Sequence, residues 1–285
     1  MLIQKQPVLS WLLDPSDNEC SSKVGVPIIP DRAHYEYLCG GFKMLSDIRN
    51  QNNPEWGLPE LLMPSFEEAM RKSAESFSKI DHQLFQEFYR DDVCGILILK
   101  NLGTLVYGFG ENILYVWWFW TSYGLSNLLL YFYAESTDNN LRNIYTLPGL
   151  HLDKQLFAGL TESEREHIYA KLTDEIMVYL AVKKYGKVET VIVPPGRSVR
   201  FDYEAKGYDK KNKIRNESGQ EVVVMDSRWF RKIINDNDIF VRSYFRLQNK
   251  KNAKGEWYKE LIVVKSHIRH GYHRDAKVEG SSFTD

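Results

Sequence analysis

Between Glu111 and Glu135 the chain carries no charged residue, and what fills the interval, ILYVWWFWTSYGLSNLLLYFY, is mostly aromatic or aliphatic. A helix of about 20 apolar residues can cross a bilayer, so this stretch has two possible fates. Its centre decides between them. Thr121, Ser122, Gly124, Ser126 and Asn127 put polar groups where a spanning helix must be most apolar, whereas aromatics on either side of a polar turn are the pattern of a β-hairpin. The neighbouring residues extend that reading. Gly95 to Leu99, Thr104 to Tyr107, Ile113 to Trp120 and Leu128 to Tyr133 are short β-prone runs separated by Gly103, Gly108, Gly110 and Gly124, and they predict a four-stranded meander. The last two runs are apolar at nearly every position, which requires burial on both faces and helices over the sheet.

Helical periodicity flanks this meander. Asp31 after Pro30 can cap a first helix, with Tyr35, Leu38, Phe42, Leu45 and Ile48 on one stripe. Residues 50–64 hold three prolines and read as a loop. Ser65 and Glu68 open a second helix that keeps its spacing through Phe66, Met70, Ala74, Phe77, Leu84 and Phe88. Thr161 and Glu164 form a capping box for a third, lined by Ile168, Leu172, Ile176, Tyr179 and Leu180, with Lys183 and Lys184 before Gly186. Val188 to Val193 and Val222 to Met225 read as strands, and the charged stretch 202–220 between them as a mobile excursion. Asp226 or Ser227 can cap a short helix carrying Trp229, Phe230, Ile233 and Ile234; Ile239 to Leu247 then pairs with Trp257 to Val264 across a lysine-rich turn. The expected fold class is α+β, with an antiparallel or mixed central sheet covered by helices and a basic C-terminal hairpin. Residues 1–92 form a helical N-terminal region and 93–285 a mixed region of the same compact unit. Three scattered cysteines and the lack of a secretion-type leader suggest a reduced, cytoplasmic protein without a membrane partner.

Charge is segregated along the chain. From Arg228 to Arg274 there are twelve basic and four acidic residues, a net +8 in a chain whose formal total is -1. Such a field attracts a polyanion: RNA or DNA, an acidic host protein or a ribonucleoprotein. In VRSYFRLQ, strand alternation puts Arg242, Tyr244 and Arg246 on one face, a combination that can hold phosphates and stack a base. Lys250, Lys251, Lys254, Arg269, His270, His273 and Arg274 add salt-sensitive attraction. The competing reading is a solvated hairpin whose charges keep an edge strand from aggregating. His267, His270 and His273 have no cysteine nearby and only Asp275 as a close carboxylate, and Gly271 argues against a regular helix there, so no metal site is expected; no cofactor is expected either.

Nucleotide-binding glycine patterns, Gly-x-Ser-x-Gly and His-Glu-x-x-His are absent. The weak catalytic candidates are Asp226 with Glu189 and Glu260, which could serve a metal-dependent nuclease if their strands are neighbours; for Asp226 a helix cap is the favoured role. A third possibility is an assembly protein using 113–133 as an oligomer contact.

DSRWF, VRSYFRLQ, the Lys/Gly-rich turn, KELIVV and RHGYHR together resemble an uncharacterised family found in phages and mobile elements of Bacteroidota-type bacteria. The ending is similar to the C-terminal region of the large type V-A anti-CRISPR proteins. Arg242 and Arg246 fit the arginines of that tail; Tyr244 stands where a histidine is expected, the following tryptophan pair is lacking, and His270, Tyr272 and His273 fall after the second hairpin strand. The resemblance implies a helical front, an aromatic-rich sheet and a basic tail hairpin. Since those proteins interfere with production of the type V effector nuclease by recognising its nascent chain, it also implies a phage-side regulator that touches RNA, ribosome-associated material or a host protein.

Overall fold

A computed structural model describes residues 2–14, 16, 23–27, 32–52, 54–62, 81–99, 103–136, 142–145, 160–185, 189–202, 213–226, 239–241, 244–264, 267–269 and 277–279. Its central feature is the meander. Strands β4 (Cys94–Leu99), β5 (Gly103–Gly110), β6 (Ile113–Ser122) and β7 (Leu125–Ser136) are antiparallel neighbours in chain order. The polar centre of the charge-free stretch is the tight turn Tyr123-Gly124, with both residues at positive φ, the twist that a two-residue hairpin needs. No described helix is long and apolar enough to cross a membrane.

Further strands widen the meander into a mixed sheet. Strand β3 (Glu60–Leu62) lies parallel to β4 on one side and to β12 (Val222–Asp226) on the other, and β9 (Glu189–Val193) closes that edge antiparallel to β12. At the opposite edge β2 (Val24–Gly25) and β8 (Arg142–Tyr145) pair with different halves of β7. The expected loop over 50–64 is therefore corrected: its last part is an interior strand, buried at all three positions. A parallel strand of three residues, held by partners far away in sequence, shows no alternation to read.

Helices cover both faces, as the unbroken apolar strands require. Helices α1 (Pro7–Leu13) and α2 (Arg32–Asn52) lie on one side. Trp11 stacks on Phe42, and the Trp117 indole donates to the Gly41 carbonyl oxygen at 2.8 Å. On the other side are α3 (Asp81–Arg90) and α4 (Glu162–Tyr185). Phe88 meets Phe109, and Tyr169 meets Phe132 with ring centroids 5.2 Å apart. Adjacent residues on β7 thus face opposite layers, Tyr131 toward α2 and Phe132 toward α4. The capping box of α4 is formed: Thr161 N donates to Glu164 Oε2 at 2.7 Å and Glu164 N to Thr161 Oγ1 at 3.3 Å. Ser65, Glu68 and the helical positions up to Phe77 lie outside the described residues, as do 227–238 with their expected short helix.

A second sheet, in the order β1–β11–β10–β17, contains β1 (Leu2–Ile3), β10 (Ser198–Asp202), β11 (Lys213–Asn216) and β17 (Lys277–Glu279). This corrects the reading of 202–220 as one mobile excursion. From Lys213 to Gln220 the chain is a strand followed by a buried polar turn. Charged residues alternate with inward ones there: Ile214, Asn216 and Ser218 are buried while Arg215, Glu217 and Gly219 face solvent. Composition scores such a half-buried strand as polar.

Candidate nucleic-acid interface

The expected C-terminal pair forms, but its first strand is divided. Strand β13 (Ile239–Val241) pairs with β16 (His267–Arg269), while β14 (Tyr244–Lys251) pairs with β15 (Trp257–Val264) in a separate two-stranded ribbon. The single strand expected over 239–247 is corrected accordingly. Residues 242–243, between the two pieces, lie outside the described set.

Alternation gives the ribbon two faces. Arg246, Gln248 and Lys250 share one with Tyr258, Glu260 and Ile262; Asn249 and Lys251 share the other with Trp257, Lys259 and Leu261. Leu261 packs against the main core, so the second face turns toward the body near its base. Toward the tip that face runs clear of the body. Lys251 and Trp257, directly opposed in the register, are both exposed, Trp257 to 68%.

The connection over 252–256 is fixed by Asn252. Its Oδ1 accepts from Lys254 N at 2.9 Å and Glu256 N at 3.0 Å, and its Nδ2 donates to Glu256 Oε2 at 2.8 Å. Asn252 N donates to Glu256 O, and Gly255, at φ +80°, donates back to Asn252 O. The tip is consequently a closed turn with a set shape.

Lys250, one of the expected contact cations, is paired within the ribbon: its ammonium bridges to Glu260 at 2.7 Å across the strands. That hydrogen bond raises Lys250 above the ordinary lysine value and holds Glu260 below the ordinary carboxylate value, so each is charged and each answers the other. Arg246 is exposed and donates to Gln248 Oε1 at 2.9 Å. Lys251 Nζ lies 4.7 Å from the centroid of the Trp257 ring. Lys254 is exposed at the tip. Arg246, Lys251 and Lys254 have no carboxylate partner among the described residues. The backbone of Tyr244 lies opposite Val264 and that of Arg269 opposite Ile239; Arg242, His270, His273 and Arg274 lie outside the described residues.

The sequence reading missed Trp257. Its position as the first residue after a lysine- and glycine-rich turn was visible, but an aromatic at a strand start looks the same whether buried or exposed.

Glu189 and Asp226 are direct backbone partners across β9 and β12, whereas Glu260 belongs to the separate ribbon and is engaged by Lys250. No group of three His, Cys, Asp or Glu suited to a metal exists among the described side chains. A buried polar cluster elsewhere is also poor in chemistry. Glu60 accepts from Lys183 at 2.6 Å beside Tyr107 and Cys94, and burial pushes the Cys94 thiol up to about 11, which leaves it protonated and weakly nucleophilic. A cleft of about 180 Å³ between the N-terminal strand and the ends of β4–β6 is lined only by uncharged residues, including Gln6 and Thr104, which bond each other. No protein-family model, curated protein or solved structure matches the chain.

Proposed function

We propose that this chain is a non-catalytic binding protein of phage or mobile-element type, acting through its β14–β15 ribbon on nucleic acid, with an anti-defence role as the resemblance implies. One observation carries the reading. Both carboxylates of the ribbon are engaged within it, Glu260 by Lys250 and Glu256 by Asn252, while Arg246, Lys251 and Lys254 stand in solvent without an acidic partner among the described residues. A ribbon whose charges served only to protect an edge would gain nothing from a rigid tip. A charged docking element gains, because a set geometry lowers the ordering cost of binding.

Replacing Arg246 and Lys251 together by Glu tests it. Affinity for a single-stranded oligonucleotide at low salt should fall by about tenfold or more, and the slope of log affinity against log salt should flatten. The melting temperature should change little, because both side chains are exposed. A double variant that binds as tightly as the parent, or a parent that binds no polyanion at low salt, overturns the proposal.

A further inference from the structure

We infer that the ribbon tip takes single-stranded rather than duplex nucleic acid, with an unpaired base stacked on Trp257. This deepens the function proposed above and rests on it.

Three features of the tip converge. An indole exposed to 68% contributes little to the fold, yet the flat apolar surface it offers is the kind on which any nucleobase can stack. Lys251, directly across the register, holds its ammonium over one face of the ring, 4.7 Å from the centroid, so a base takes the opposite face with a positive charge within one nucleotide's reach. Lys254, exposed in the same turn with its backbone N–H held by Asn252, adds a second cation to the tip.

The turn also limits what can be read. The backbone N–H groups of Asn252, Lys254, Gly255 and Glu256 are all consumed inside the loop. They cannot reach base edges, so the tip recognises a ring face and a phosphate and tolerates any sequence. A base within a duplex has both faces covered by its neighbours. Only an unpaired one can be offered to Trp257. An acidic protein segment could satisfy Lys251 and Lys254 but would make no use of the indole.

The test uses the full chain, its Trp257→Ala and Trp257→Phe variants, and four labelled probes followed by anisotropy. The probes are an oligothymidylate of about 12 nucleotides, an abasic strand of equal length, a duplex of equal length and polyglutamate. Trp257→Ala should weaken oligothymidylate binding about tenfold, leave abasic-strand binding and the salt slope unchanged, and barely shift the melting temperature. Trp257→Phe should keep most of the affinity. Equal losses on the abasic strand, or duplex binding as tight as single-strand binding, would overturn the stacking assignment while the polyanion reading stands. Polyglutamate bound more tightly than the oligonucleotide would overturn it in favour of an acidic protein partner. Absence of binding to all four probes at low salt would remove the underlying function as well.

Discussion

Glu60 is an ionisable residue in an expensive place. It opens an interior strand, its side chain is largely covered, and Oε2 has no hydrogen-bond partner among the described residues. Burial raises its pKa above the ordinary 4.5, and Lys183, itself half exposed, pulls back only part of the way. The folded protein therefore keeps this proton to higher pH than the unfolded chain does. The contribution to stability is complete below the ordinary value and disappears as pH rises through the raised one. Glu60→Gln cannot ionise, and the exposed Lys183 ammonium can be hydrated once its partner is gone. The stability of Glu60→Gln relative to the parent should rise as pH increases above the ordinary carboxylate value, as read by urea midpoints. A difference that stays constant across that range would mean the carboxyl titrates normally in the fold.

At the scale of the element, helix α2 contains two consecutive glycines with opposite jobs. Gly40 is exposed, and a Cβ there meets nothing within 4 Å. Gly41 is buried against the sheet, where a Cβ would come within 2.7 Å of the Tyr131 side chain, and its carbonyl receives the Trp117 indole. Gly40→Ala should stabilise the protein by up to about 1 kcal/mol, since alanine is the better helix former. Gly41→Ala should destabilise it by about 1–3 kcal/mol, because the helix must lift off Tyr131. Denaturation midpoints that move in the same direction for both would refute this packing of α2. Helical phase separates the two, since Gly41 falls on the stripe of Leu38 and Leu45 and Gly40 opposite it, but the contact that excludes a side chain at 41 comes from Tyr131 on a distant strand.

Over the whole molecule, the two larger sheets are joined at Asn216. This fully buried residue ends β11, and its Nδ2 donates to Val193 O of β9 and to Gln220 O, both at 2.7 Å. Its Oδ1 accepts from Ser218 N and Ser218 Oγ. Its backbone bonds Gly196 and Arg197 in the turn between β9 and β10, and Glu217 N reaches Ile3 O of β1. Asn216→Ala should cost about 2–4 kcal/mol, since it takes the side-chain partner from the Val193 carbonyl and the Ser218 N–H away from water, while Ser218 Oγ and Gln220 O can still bond each other. Asn216→Asp should cost a comparable amount, because a carboxylate cannot donate to Val193 and Gln220. Losses below about 0.5 kcal/mol in both variants, typical of surface sites, would show that the sheets are held together elsewhere. Residues 1–92 enter the same construction: they supply β1 to one sheet and β2 and β3 to the other, so strands as well as helices come from the front of the chain.

Features set by neighbours along the chain were legible in the primary structure. The meander followed from apolar runs with glycines between them, the start of α4 from Thr161 and Glu164, and the terminal hairpin from β-prone runs flanking a lysine- and glycine-rich turn. Folding in three dimensions settled the positions whose partners lie far away in the chain. It inserted Glu60–Leu62 between β4 and β12, turned 213–216 into a strand, matched Lys250 to Glu260 and left Trp257 in solvent. The physical reason is common to all four. Burial, parallel pairing and charge neutralisation are properties of a residue's surroundings in space, and a one-dimensional pattern records them only where those surroundings are also its neighbours in sequence.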